Sequence, residues 1–211
     1  HYSGDDLLAM DFIASDGGGI DAKVERHAGA LIASLHAVPR RRFGYARDTL
    51  IGPLAQPNPE AARWVPFFRD HRLLYMARAA HDEGALPLAL LARIERFAAR
   101  IDEHLLEPAH PALLHGALWT GNVLTCGGKV AAFVDPAIYF GHPEIELAFA
   151  TLFGTFGESF FAAYQERLPL EPGFFAERRE IYNLYPRLVH VRLFGAGYLA
   201  GIDATLARLG C

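Results

Sequence analysis

Cysteine is scarce in this chain: only Cys126 and Cys211 occur, far apart, which excludes a disulfide framework and a zinc cluster of thiolates. Reduced thiols are the plain expectation. Long apolar runs are also missing, since none approaches the ~20 residues that a bilayer crossing needs. The opening HYSGDD lacks the basic-then-apolar pattern of a secretory leader. A soluble, cytoplasmic protein with no membrane partner is expected. Positive charge is not in excess either: the formal net charge is −4 and basic residues are scattered apart from Arg40, Arg41 and Arg42. Nothing there matches a phosphate backbone, so no nucleic-acid partner is expected. The ten histidines show no His-Glu-x-x-His spacing, and none is assigned to a metal. Low-complexity tracts are absent too, and with 52 % apolar residues over 211 positions the chain can bury a sizeable core.

What is present reads as a helical body with a short β insertion. LLAMDFI (7–13) is apolar and bounded by acidic and glycine residues, as a buried strand would be. After SDGGG, Asp21 is a candidate N-cap for a helix whose stripe is Val24, Ala28, Leu31, Ile32 and Leu35, ending near Pro39. Residues 39–59 carry four prolines and two glycines and predict a long ordered loop or a pair of turns. Asn58 and Pro59 then read as N-cap and first residue of a helix running to Gly84, interrupted near Pro66. A further helix is expected over 86–108, closed by Pro108.

The period changes next. ALLH, NVLT and KVAAFVD are β-type segments, and Gly127–Gly128 turns the last two into a hairpin. From Glu144 onward helical patterns resume, with Gly154, Gly173 and Gly195 or Gly197 as breaks. No repeat or domain boundary is evident.

The stretch LLHGALWTGNV (113–123) has the spacing of a phosphotransferase catalytic loop. Such loops place a base, and five residues later an Asn ligand; a following hairpin delivers an Asp. Here the corresponding positions are Ala117, Asn122 and Asp135, with His115 two residues before Ala117. Taken alone, Asn122 reads more readily as a turn residue and Asp135 as a cap before Pro136.

The wider context decides between these. LLHGALWTGNVL, FVDPAIYFGHPEIELAFATLFG, RREIYNLYPRLVHVRLFGAGYL and WVPFFRDHRLLYMAR together resemble the fructosamine kinase (ketosamine-3-kinase) family, over nearly the whole chain. The resemblance implies a mainly α, α+β fold: the C-terminal lobe of a protein-kinase-like enzyme, helical with an inserted hairpin carrying the site. It implies ATP-dependent phosphorylation of a sugar hydroxyl on ketosamines, free or on glycated proteins, with Mg²⁺ held by Asn122 and Asp135. Position 117 would carry the base; Trp119 beside it reads equally as a face of the sugar site and as a core aromatic bracing the loop. His115 and Glu146 would be structural. Residues 1–13 would be the remnant of a hinge strand, with Asp11, Phe12 and Ile13 meeting adenine, and residues 14–211 the substrate lobe.

Two departures qualify that reading. The family has Asp where this chain has Ala117, and loss of a general base costs about 10²- to 10⁴-fold in rate, or roughly 3 to 5 kcal/mol of barrier. The β-rich N-terminal lobe expected before the hinge is absent from this sequence. Neither Lys23 nor Lys129 suits the nucleotide-binding lysine, and SDGGG lacks the strands of a phosphate cradle. A catalytically impaired enzyme with doubtful nucleotide binding is therefore expected. The alternatives are a pseudokinase-like binding module and a relative of the aminoglycoside and choline kinases. Apolar surface near 7–13 and 130–140 would suit a homodimer.

Overall fold

The structure, a computed structural model, describes residues 2–3 and 8–211, with side chains described from Met10 onward. Two short strands, β1 (Tyr2–Ser3) and β2 (Leu8–Ala9), pair antiparallel. Of the strand expected over 7–13, Leu8–Ala9 forms β2, and the remainder is corrected here. Residue 7 lies outside the described residues, and residues 10–13 form no strand. They are also not buried: Phe12 is 92 % and Met10 67 % exposed. An apolar run of this length carries no directional information about which of its residues will be buried.

Helix α1 (Ala22–His36) begins where the sequence places it, because Asp21 accepts hydrogen bonds from the N–H groups of Lys23 and Val24. Its buried stripe is Val24, Ala28 and Ile32; Leu31 turns outward. The proline-rich stretch that follows holds a hairpin, β3 (Thr49–Ile51) with β4 (Leu54–Gln56).

The next helix, α2 (Trp64–Phe68), starts five residues later than Pro59. Asn58 is no cap: its side chain is buried, donates to Thr49 Oγ1 and accepts from Arg72 Nη2 at 2.6 Å. The cap is supplied from far along the chain by Glu107, whose carboxylate accepts the N–H groups of Trp64 (2.6 Å) and Val65 (3.1 Å). Pro66 falls in the first turn, where its missing N–H costs nothing. A wider π-type stretch, Arg69–Leu74, leads into α3 (Tyr75–Asp82). Helix α4 (Leu88–Ala98) stops ten residues short of Pro108.

The β insertion comprises β5 (Ala112–Leu114), β6 (Val123–Cys126), β7 (Lys129–Phe133) and β8 (Tyr139–Gly141). β6 and β7 form the expected hairpin, and Gly127 and Gly128 both take positive φ, which glycine adopts without strain. β5 pairs with β8, a strand without a clear signal of its own. The SDGGG segment straps this hairpin: the Asp16 N–H and the Ser15 hydroxyl donate to Thr125 O, and Gly127 N–H donates to the Asp16 carboxylate.

The rest is helical: α5 (Pro143–Leu152), α6 (Glu158–Gln165), α7 (Arg179–Tyr182), α8 (Leu184–Phe194) and α9 (Leu199–Arg208). The main core gathers around Trp64, whose ring meets Phe43, Phe67, Phe68 and Tyr182. Among the described residues no helix is long and apolar enough to cross a membrane.

Candidate active site

The site is built where β5, the β6–β7 hairpin and α5 meet. Between Leu114 and Val123 the chain makes a loop whose first turn needs Gly116. Its φ is +81°, and a Cβ there would stand 2.1 Å from Ala137 O. The loop therefore presses against the residues that follow Asp135. Glu146, buried in the first turn of α5, binds it from behind: its carboxylate accepts the N–H groups of His115 (3.1 Å) and Gly116 (2.6 Å). The same carboxylate lies 2.8 Å from His36 Nε2, whose other ring nitrogen is 2.9 Å from the Tyr164 hydroxyl. Burial works to raise the Glu146 pKa, but the His36 hydrogen bond, nearby imidazoles and the Gly116 N–H together hold it below the usual carboxylate value. Gln56 supports the far side, donating to Ala137 O and accepting from the Tyr185 hydroxyl.

His115 lies under the loop. Its Nδ1 accepts the Ala117 N–H at 3.3 Å, its ring meets Phe133 edge-on, and its buried Nε2 has no partner among the described residues.

Asn122 and Asp135 converge. The Asn122 amide nitrogen donates to Ala117 O (2.9 Å) and Asp135 O (3.5 Å), and its backbone carbonyl accepts the Val134 N–H. That commits the NH₂ and leaves the amide oxygen as the uncommitted atom of a side chain that lines the cleft. Asp135 lines the same cleft and is the one non-glycine residue with positive φ (+50°) among the described residues. Such backbone costs of order 1 kcal/mol and recurs where a side chain must be aimed. Two hard oxygen donors of this kind suit Mg²⁺, which takes few protein ligands and completes its shell with water and phosphate. Among the described residues no three His, Cys, Asp or Glu side chains gather as a softer metal would need.

The cleft itself holds about 690 Å³. Ala117, Asn122 and Asp135 form one wall, and Trp119 with Phe153 forms another. Trp119 is 42 % exposed and meets Phe153 edge-on at 6.2 Å, while its indole lies against Gly121. The third wall is α8 and the turn after it: Val189, His190, Leu193, Phe194 and Tyr198. His190 packs against Phe153, Phe194 and Tyr198 at centroid distances of 4.9, 5.4 and 5.0 Å. Reading single residues missed this third wall. RLVHVRLFGAGYL looks like ordinary buried helix, and only the folded chain shows that one face of it borders a cleft.

Asp11, Phe12 and Ile13 are exposed and do not line this cleft. The other residues singled out by the sequence gather around the loop: Ala117, Trp119, Asn122 and Asp135 on the cleft, His115 and Glu146 beneath it.

A catalytic-type loop followed by an Asp-bearing hairpin on a helical body is the arrangement of kinase-like phosphotransferases. A thermostable mutant of aminoglycoside phosphotransferase APH(4)-Ia shares the fold over 90 % of this chain at a TM-score of 0.58 and 18 % identity, a likeness of fold alone. Far more similar is a crystallised Thermobifida fusca protein assigned as a fructosamine-3-kinase: TM-score 0.86 and 33 % identity over 96 % of this chain and 69 % of that one. A protein of Synechocystis sp. assigned as a ketoamine kinase is 39 % identical over 81 % of this chain and 57 % of its own length. The chloroplastic protein-ribulosamine 3-kinase of Arabidopsis thaliana is 33 % identical over 93 % of this chain and 59 % of its own. The sequence profile of the fructosamine kinase family matches residues 2–209. This chain belongs to the fructosamine kinase family. It spans about 57 to 62 % of the first curated relatives it matches.

Proposed function

We propose that the cleft binds a ketosamine, the adduct of a sugar with an amine, and serves an ATP-dependent sugar-hydroxyl kinase whose transfer step is impaired in this chain. The observation that carries this is the convergence of Ala117, Trp119, Asn122 and Asp135 on one cleft. Family membership and the ketoamine and ribulosamine kinases among the relatives support the substrate class.

The division of labour follows from chemistry. Asn122 and Asp135 would hold Mg²⁺, which supplies neutralisation of phosphate charge. Trp119 offers an indole face to the sugar ring. Glu146 fixes the loop through two backbone donors, so that the Ala117 backbone is held at the cleft wall. At position 117 a methyl group can neither take a proton nor orient a hydroxyl. The loss corresponds to about 10²- to 10⁴-fold in rate while leaving the binding groups in place.

That last point favours a second reading, a binding module that retains ligand affinity without turnover. Calorimetry with Nε-fructosyl-lysine, with and without Mg²⁺-ATP, combined with a phosphorus NMR assay for product, tests both. Micromolar to millimolar binding with slow or no product supports the proposal. Absence of binding at 10 mM ligand, by this chain and by Ala117→Asp alike, would sink it.

A further inference from the structure

We infer that His190 is the proton acceptor of this cleft, receiving from its Nε2 side the ligand hydroxyl that position 117 cannot receive. The inference rests on the ketosamine reading and on an inventory of the walls. Asn122 and Asp135 are the two groups suited to a cation. Thr120 is engaged with Thr155 through both its N–H and its hydroxyl. Trp119 can only donate, and the phenol of Tyr198 brings its own proton. Among the described residues, every other side chain lining the cleft is apolar.

His190 differs from all of these. Its Nδ1 lies 2.7 Å from Pro186 O, and a carbonyl only accepts, so Nδ1 carries the proton. A neutral ring then has its lone pair on Nε2, on the edge away from the backbone of α8. The aromatic rings of Phe149, Phe153, Phe194 and Tyr198 hold that ring in place. Burial lowers the His190 pKa from its ordinary value, partly opposed by the bond to Pro186 O, so the acceptor form prevails at neutral pH. Charged groups do not compete for it. Arg187 and Arg192 on the same helix pair with Glu180 and Glu83. Among the described residues, Asp135 is the one acidic side chain lining the cleft, and Tyr198 the other titratable one besides His190.

In the transfer step the hydroxyl proton passes to Nε2 as the oxygen bonds to the γ-phosphorus of a nucleoside triphosphate. The bond from that phosphorus to the bridging oxygen breaks, releasing the diphosphate. Before any transfer, the same contact orients the hydroxyl, so it is measurable as binding alone.

The test is calorimetric titration of the protein with Nε-fructosyl-lysine between pH 5 and 8, alongside NMR of the His190 ring. A protonated Nε2 cannot accept, so affinity falls with pH below the His190 pKa, levelling off at the roughly 3- to 10-fold that the accepted hydrogen bond contributes. By reciprocity, saturating ligand moves the His190 titration to lower pH. His190→Gln keeps an acceptor oxygen and loses this pH response, whereas His190→Phe weakens binding about 3- to 10-fold. Thermal melts confirm that both variants fold. Wild-type binding indifferent to pH, or an unchanged pH response in His190→Gln, overturns the inference and leaves the ketosamine reading standing. No binding by wild type, His190→Gln and Ala117→Asp at any pH removes the ketosamine reading, and this inference with it.

Discussion

Glu146 and His36 form a fully buried contact, Oε2 to Nε2 at 2.8 Å, and the same carboxylate holds the backbone entering the candidate catalytic loop. Removing one member leaves a buried polar group of the other without its hydrogen-bond partner, at a cost of about 1 to 3 kcal/mol. Glu146→Ala and His36→Ala are each expected to lower the unfolding free energy measured in urea by that order. The double variant should cost less than the sum, because the two act as a unit.

Acid should destabilise the fold in two steps. Burial, with the nearby charges of Arg178 and His36, pushes the His142 pKa down to about 3. A depressed histidine contributes stability that is complete above its unfolded pKa near 6.5 and fades as pH falls toward 3. The full loss is on the order of 5 kcal/mol. Glu146, held below its ordinary value, adds a loss beginning below about pH 4.5. Denaturant titrations at stepped pH should show stability declining from pH 6.5, and His142→Gln should flatten the upper part.

Gly116→Ala should be among the most damaging small changes. The new methyl would meet Ala137 O, and the backbone would need a left-handed conformation at a non-glycine residue. A loss of about 2 to 4 kcal/mol in chemical denaturation is expected. A change within 0.5 kcal/mol would mean that the loop does not press on residues 135–137 as described.

Trp119→Ala separates site from core. With 42 % of its surface exposed, Trp119 should contribute only about 1 kcal/mol or less to stability. As a ligand face it should contribute roughly 10-fold in ketosamine affinity. Large destabilisation with unchanged affinity would assign it to packing instead.

Asp135→Asn should weaken divalent binding without unfolding the hairpin, since the asparagine also tolerates positive φ. Manganese, followed by water-proton relaxation, is a convenient probe. A loss on the order of 10-fold is expected from removing one charged oxygen ligand, and equal affinity for both proteins would reject the assignment.

The parts legible in the sequence are those fixed by neighbours in the chain. Asp21 caps α1 from one residue away, and Gly127–Gly128 close a hairpin between two β-type runs. The parts misread depend on distant partners. The start of α2 is fixed by Glu107, more than forty residues downstream, so Asn58 and Pro59 offered a false start. β8 exists because β5 is there to pair with it. The candidate site divides the same way: Ala117, Asn122 and Asp135 follow a local spacing, whereas His190 joins them only when α8 packs beside the loop. LLAMDFI was legible as a strand only at Leu8–Ala9, because apolar content alone does not fix where pairing stops or which side chains, such as the exposed Met10 and Phe12, find cover.

The strap of residues 15–18 has a consequence for solubility. A two-stranded ribbon such as β6–β7 offers outward-facing carbonyl and amide groups on which another chain could build. Ser15 and Asp16 occupy the Thr125 carbonyl, and Gly18 takes the Thr125 hydroxyl. A glycine-rich stretch that invites comparison with nucleotide loops lies here along the ribbon's edge, filling a carbonyl that an added strand would need.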